Sequence, residues 1–185
     1  ATLVWATSGR VEDNRRQAQV DALAAVMPAA LHDNDLLADT AQASHPLLGD
    51  NKPHTVWIAR RGGTPTGLVV AVSTPQGYGG TIRLLVGIRA DGTVTGVRVV
   101  PPHPETPGLG DKIDIRKSDW VLSFNDRSLA NTGAARWAVK KDGGDFDQFT
   151  GATITPRAVV GAVHNSLKWF DEQRGNLLAA PGDAP

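Results

Sequence analysis

The chain predicts an α+β fold, an antiparallel β-sheet built from hairpins with helices packed against it. Three features carry that prediction. Two pairs of strand-like runs each flank a turn sequence, Gly62-Gly63-Thr64-Pro65 and Asp91-Gly92. Apolar residues recur at helical spacing near both ends of the chain. The length, 185 residues, suits one domain with a real core and is short for two.

From Glu12 to Met27, Val20, Leu23, Ala24 and Met27 recur at i, i+3, i+4, i+7 among polar neighbours, which predicts an amphipathic helix ended by Pro28. Residues 29–53 lack a clear period and read as a loop region with room for one short element. Thr55–Ala59 and Gly67–Val72 form the first strand pair, Thr81–Ile88 and Thr93–Val100 the second. Val94, Val97 and Val99 break strict alternation at Gly96, where a β-bulge would restore it. Ser118–Phe124 reads as a short helix capped by Ser118, with Trp120 and Phe124 turned inward. Trp137–Val139 reads as a strand and Lys140–Asp145 as the turn leaving it. Thr155 followed by Pro156 has the chemistry of a helix start, hydroxyl as N-cap and proline first. Val159, Val160, Val163, Leu167 and Phe170 then give the helix its apolar stripe. This divides the chain into an N-terminal helix (1–28), a main domain (29–174) and a flexible tail (175–185).

Composition narrows the chemistry. Lysine and arginine total 19, as do aspartate and glutamate, so no basic excess points to nucleic acid. With no cysteine there is no disulfide, thiol catalysis or cysteine-ligated cluster within the chain, and any redox chemistry must be borrowed. The five histidines fall in no metal-ligand spacing, and Asp142, Asp145 and Asp147 lack a full calcium-loop pattern, so no metal is assigned. No nucleophile elbow singles out a hydrolytic triad. No stretch reaches the roughly 18 apolar residues of a membrane span. The opening Ala1-Thr2-Leu3-Val4-Trp5-Ala6 reads either as the stub of a removed membrane anchor or as a trimmed terminus.

The functional residues gather in two stretches. In Asp147-Gln148-Phe149-Thr150-Gly151-Ala152-Thr153-Ile154-Thr155-Pro156, Gly151 and Ala152 leave the Thr153 hydroxyl uncrowded. Another macromolecule's active site could reach it there. Thr153 falls just outside a helix N-terminus, where free N–H groups and the helix dipole suit a phosphate. Read alone, the stretch is far more often an ordinary turn leading into an ordinary helix. The second stretch, His103-Pro104-Glu105-Thr106-Pro107-Gly108-Leu109-Gly110-Asp111-Lys112, lies in a proline-rich loop that holds a shape without its own core. Gly108-Leu109-Gly110 suits a planar ring. Glu105 and Thr106 suit ligand hydrogen bonds or bracing, with bracing favoured for Glu105. Gln76–Gly80, holding the only tyrosine, Tyr78, has the composition of a flexible turn.

Asp-x-x-Thr-Gly-Ala-Thr resembles the flavinylation motif of a family of FMN-binding domains. Its members include the G subunit of the Rnf electron-transport complex and the C subunit of the sodium-pumping NADH:quinone reductase. The second stretch is similar to the family's other signature, and two signatures in the expected order are hard to obtain by chance. The resemblance runs from about Tyr78 to Phe170, and residues 137–156 favour the Rnf protein. It implies FMN joined through its phosphate to Thr153, beside Thr150, Gly151, Ala152 and Thr155. It places the Glu105–Gly110 loop, including Pro107, near the ring, with Lys112 supplying positive charge to a flavin that becomes anionic on reduction. It gives Tyr78 a flavin-side or interface role. It implies an Asp147 read by a separate FAD-using flavin transferase, and other subunits of a membrane complex as partners. It also implies a membrane helix before this segment, with the flavin domain on the periplasmic side of the bacterial inner membrane. The rival readings are an extracytoplasmic assembly module with an empty flavin site and a flavoenzyme with its own substrate. The latter lacks a nicotinamide-binding fingerprint.

Overall fold

The computed structural model describes residues 2–179. The expected tail, Pro181–Pro185, lies outside them. Five strands form one antiparallel sheet in sequence order: β1 (Thr40–His45), β2 (Asp50–Arg61), β3 (Thr64–Thr74), β4 (Ile82–Arg89) and β5 (Val94–Val99). Two long helices, α1 (Thr2–Val26) and α2 (Ile154–Leu177), lie on opposite faces.

The period-2 side-chain alternation of strands explains the two faces. Leu68, Val70 and Val72 of β3 and Leu84, Val86 and Ile88 of β4 point into the main core, which α2 completes with Val159, Val163, Leu167 and Phe170. Val69 and Leu85 point the other way, toward Leu23, Val26 and Met27 at the end of α1. Both hairpins lie where the turn sequences place them. Gly62 and Gly63 carry φ of 56° and 81°, the two positive values of a type I′ turn.

The bulge near Gly96 is present: Gly87 faces Gly96 and Ile88 faces Val94, so the register slips by one residue. The slip has a packing reason. The end of α1 lies directly on this spot, Thr95 donating its hydroxyl to the Val26 carbonyl at 2.5 Å. A Cβ at Gly87 would collide with that carbonyl.

Several expectations need correction. Residues 29–53 contain β1, the start of β2 and two 3₁₀ turns, Ala29–Leu31 and Pro46–Leu48. β1 is an exposed edge strand, so Thr-Ala-Gln-Ala-Ser-His carries no apolar alternation. α1 begins well before Glu12, and residues 9–21 are exposed around its whole circumference. Only the last turns beyond them are amphipathic. Ser118–Phe124 contains a 3₁₀ helix, Trp120–Phe124, rather than an α-helix, although Ser118 Oγ does accept the Trp120 N–H at 3.1 Å. Trp137–Val139 is not a strand, because Val139 makes only an isolated bridge to Phe146. α2 passes through Gly175 to Leu177, whose side chain packs on the core.

The long irregular segment between β5 and α2 is held by aromatic packing. Trp120 meets Phe124 and Phe149 edge-on at 5.3 and 5.2 Å, and Phe124 stacks on Phe146 at 4.8 Å. Trp120 also donates its indole N–H to the Asp147 carbonyl at 2.7 Å. Asp142 pairs with Arg157, Asp145 with Arg127, and Asp147 with Lys140, so these three carboxylates are drawn to different bases.

Gly87→Ala should lower stability by about 2 kcal/mol or more through overpacking, read as a fall in denaturation midpoint with little change in slope. A second expected outcome concerns Asp114. The Arg116 guanidinium, bonding both its carboxylate oxygens, and His103 at 3.4 Å hold its pKa at about 2, below the usual 3.8. A carboxylate whose pKa is depressed by folding stabilises the fold above its ordinary pKa, and that contribution is lost as pH falls through the folded value. Asp114→Asn should therefore lower stability at pH 7 and flatten the acid limb of the stability curve between about pH 4 and 2.

Candidate functional site

A cleft of about 330 Å³ opens where three segments meet: the Gln76–Gly80 turn, the Glu105–Gly110 loop and residues 151–155 at the start of α2. Its walls are Tyr78, Glu105, Thr106, Leu109, Gly110 and Gly151 to Thr155. Two other clefts are as large, about 360 and 400 Å³. One is lined by Asp91, Asp171 and Arg174, the other by the apolar side chains of Trp57, Leu85 and Val99. Neither sets an uncommitted hydroxyl at a helix N-terminus.

A buried carboxylate joins the three segments. Glu105, 6% exposed, accepts the Gly79 N–H on Oε1 at 3.2 Å and the Thr155 hydroxyl on Oε2. Thr155 Oγ in turn accepts the Tyr78 N–H at 3.4 Å. Space around the carboxylate is tight. A Cβ at Gly77 would stand 2.8 Å from Glu105 Oε1, and one at Gly110 would collide with Oε2.

This network changes the reading of the helix start. α2 begins at Ile154, with Thr153 at the N-cap position, so Thr155 is inside the first turn and its hydroxyl serves Glu105 instead of capping. Pro156 is then the third helical residue, still among the positions whose N–H has no intrahelical partner. The Arg157 N–H reaches the Thr153 carbonyl at 3.3 Å, which leaves the amides of Ile154 and Thr155 at the helix end. Thr153 itself is half-buried, and its side chain makes no capping hydrogen bond. Its hydroxyl is uncommitted where backbone N–H groups and the dipole favour an anion.

The turn presenting Thr153 is fixed from behind. Phe149 is buried against Trp120, the Ala152 N–H returns to the Phe149 carbonyl at 3.1 Å, and Gly151 takes the left-handed φ of 76° that this return requires.

The structure thus brings Tyr78, Glu105, Thr106, Leu109, Gly110, Gly151, Ala152, Thr153 and Thr155 to one cleft. Thr150, Pro107 and Gly108 lie in the same loops but are exposed outside its lining. Lys112 is likewise exposed and does not line the cleft, so the expected positive charge is absent from the described wall. Asp147 stands outside the cleft, its side chain exposed. Sequence reasoning missed Ile154, 49% exposed on the cleft wall. Its signal was its place immediately after Thr153, obscured by starting the helix two residues late.

The donor set fits a flavin phosphate ester: an apolar, glycine-relieved wall for a planar ring, and a free hydroxyl at a helix N-terminus for the phosphate. Comparison with known proteins points to the same cofactor. Residues 77–168 match the FMN-binding domain family. The G subunit of the ion-translocating oxidoreductase complex of Pseudoalteromonas atlantica is 46% identical, over 99% of this chain and 85% of that protein. The corresponding G subunits of Pseudomonas aeruginosa and Cereibacter sphaeroides are 48% and 49% identical over 94% of this chain, and over 81% and 77% of their own lengths. With identity at this level over nearly the whole chain, the protein belongs to the family of G subunits of the ion-translocating oxidoreductase complex, and the cleft lies within its FMN-binding domain.

Proposed function

We propose that the protein is an electron-carrier subunit bearing FMN joined by a phosphoester to Thr153. It would act among the other subunits of an Rnf-type membrane complex, with this domain on the periplasmic side of the inner membrane. The observation that carries the reading is the uncommitted Thr153 hydroxyl at the N-terminus of α2, opening onto the cleft.

When bound, the flavin supplies the redox chemistry, and the chain supplies position and electrostatics. Thr153 is an attachment point and not a base. The free amides at the start of α2 would hold the phosphate, while Tyr78, Leu109 and Ile154 offer apolar surface to the ring. Gly110 lets the loop lie against Glu105. Glu105 and Thr155 tie the two sides of the cleft together, so the ring's surroundings exist before it arrives. Covalent attachment suits a carrier working where replacement FMN is scarce.

Modification would come from a separate flavin transferase using FAD. The Thr153 oxygen would take the FMN moiety of FAD in place of its hydroxyl proton, with cleavage of the pyrophosphate and release of AMP. Asp147, exposed and outside the cleft, is accessible for recognition by that enzyme.

Co-expression with an active flavin transferase, followed by denaturation and intact-mass measurement, tests the reading. Wild type should gain the mass of one FMN. Thr153→Ala should gain none while melting within about 2 °C of wild type, since the side chain makes no capping bond. An unmodified wild type, with a known target modified in parallel, would favour an assembly module with an empty site. Covalent flavin on Thr153→Ala would move the attachment elsewhere.

A further inference from the structure

The wall of the cleft carries one carboxylic side chain and no basic one. Among the lining residues, Glu105 is the only acidic or basic one. It is 6% exposed, and among the described residues no lysine, arginine or histidine pairs with it. Both oxygens act as acceptors, from the Gly79 N–H and the Thr155 hydroxyl. These bonds and the glycines around it hold the group in place, so it does not swing away when charge nearby changes. The neighbouring Asp111 and Lys112 do not line the cleft.

The geometry points to Glu105 as the residue that sets the reduction potential of a flavin in this cleft, lowering it by opposing the negative charge that reduction adds. This rests on the FMN reading above. Two electrons and one proton convert the oxidised ring to its anionic reduced form, adding one negative charge. A fixed buried carboxylate disfavours the product more than the reactant. Burial also shields the effect from salt, because buried charges are screened much less than exposed ones. A fixed charge beside the ring, at an effective dielectric near 20, is expected to change the oxidised-to-reduced ratio by roughly tenfold. For a two-electron couple that is about 30 mV.

Glu105 therefore acts on the flavin through its charge, as a positioning residue. The test uses flavinylated wild type, Glu105→Gln, Glu105→Asp and Lys112→Gln, each checked by mass and melting temperature. Their midpoint potentials are measured by spectroelectrochemical titration with dithionite as reductant, at low and high salt. Glu105→Gln should titrate at a more positive potential by about 30 mV, and the difference should persist at high salt. Glu105→Asp, which keeps the charge, should stay near wild type, and so should Lys112→Gln. A Glu105→Gln potential equal to or below wild type in flavinylated, folded protein would overturn the inference while leaving the FMN reading intact. So would a shift of the same size in Glu105→Asp, which would make the effect one of shape. A wild-type chain that takes up no flavin from a competent transferase would sink both.

Discussion

The bond between Glu105 and the Thr155 hydroxyl is the constraint on which the site depends. Without it, the proline-rich loop, the Tyr78 turn and the start of α2 are three surface segments joined to different parts of the fold. With it, and with the Tyr78 and Gly79 amides drawn into the same network, they become the walls of one cleft. A buried polar network is favourable only when its members are satisfied, and here both carboxylate oxygens are. The cost is local sequence freedom, because Gly77 and Gly110 have no room for a side chain beside the carboxylate.

The rest of the molecule keeps these segments in register. β3 and β4 anchor the two ends of the segment containing the Tyr78 turn, and β5 leads into the proline-rich loop. α2 is fixed by apolar burial along its length, with Val159, Val163, Leu167 and Phe170 set into the main core. Its N-terminus is thereby held at the cleft. Each such residue contributes on the order of 1.5–3 kcal/mol of burial, against about 1 kcal/mol net for an ordinary hydrogen bond. Stability thus comes mainly from the sheet and its two faces, and the polar network adds little to it while defining the shape of the cleft.

Much of this was legible in the sequence, for physical reasons that differ by region. The hairpins were readable because β-branched runs and positive-φ turn residues are local signals, and the Gly62-Gly63 dihedrals bear that out. The bulge at Gly96 was visible as a break in alternation, but its cause, α1 lying on the sheet, is a long-range contact. β1 was invisible because an exposed edge strand need not alternate. The Thr155 assignment failed through competition. A Thr-Pro pair is a good local cap, yet a carboxylate 50 positions earlier in the chain claimed the hydroxyl and the helix began at Ile154. Lys112 and Glu105 occupy one loop, and only the fold decides which of them faces inward.

The central claim is that the cleft is formed before the flavin arrives and receives its ring without rearrangement. A crystal structure of the flavinylated chain tests this most directly. The expected result is density continuous from Thr153 Oγ through the phosphate, the ring in contact with Tyr78, Leu109 and Ile154, and the Glu105–Thr155 bond unchanged from its present partners. A ring seated on another surface, such as the apolar groove beside Trp57, would contradict it, and so would a Glu105 side chain displaced from Thr155 to make room.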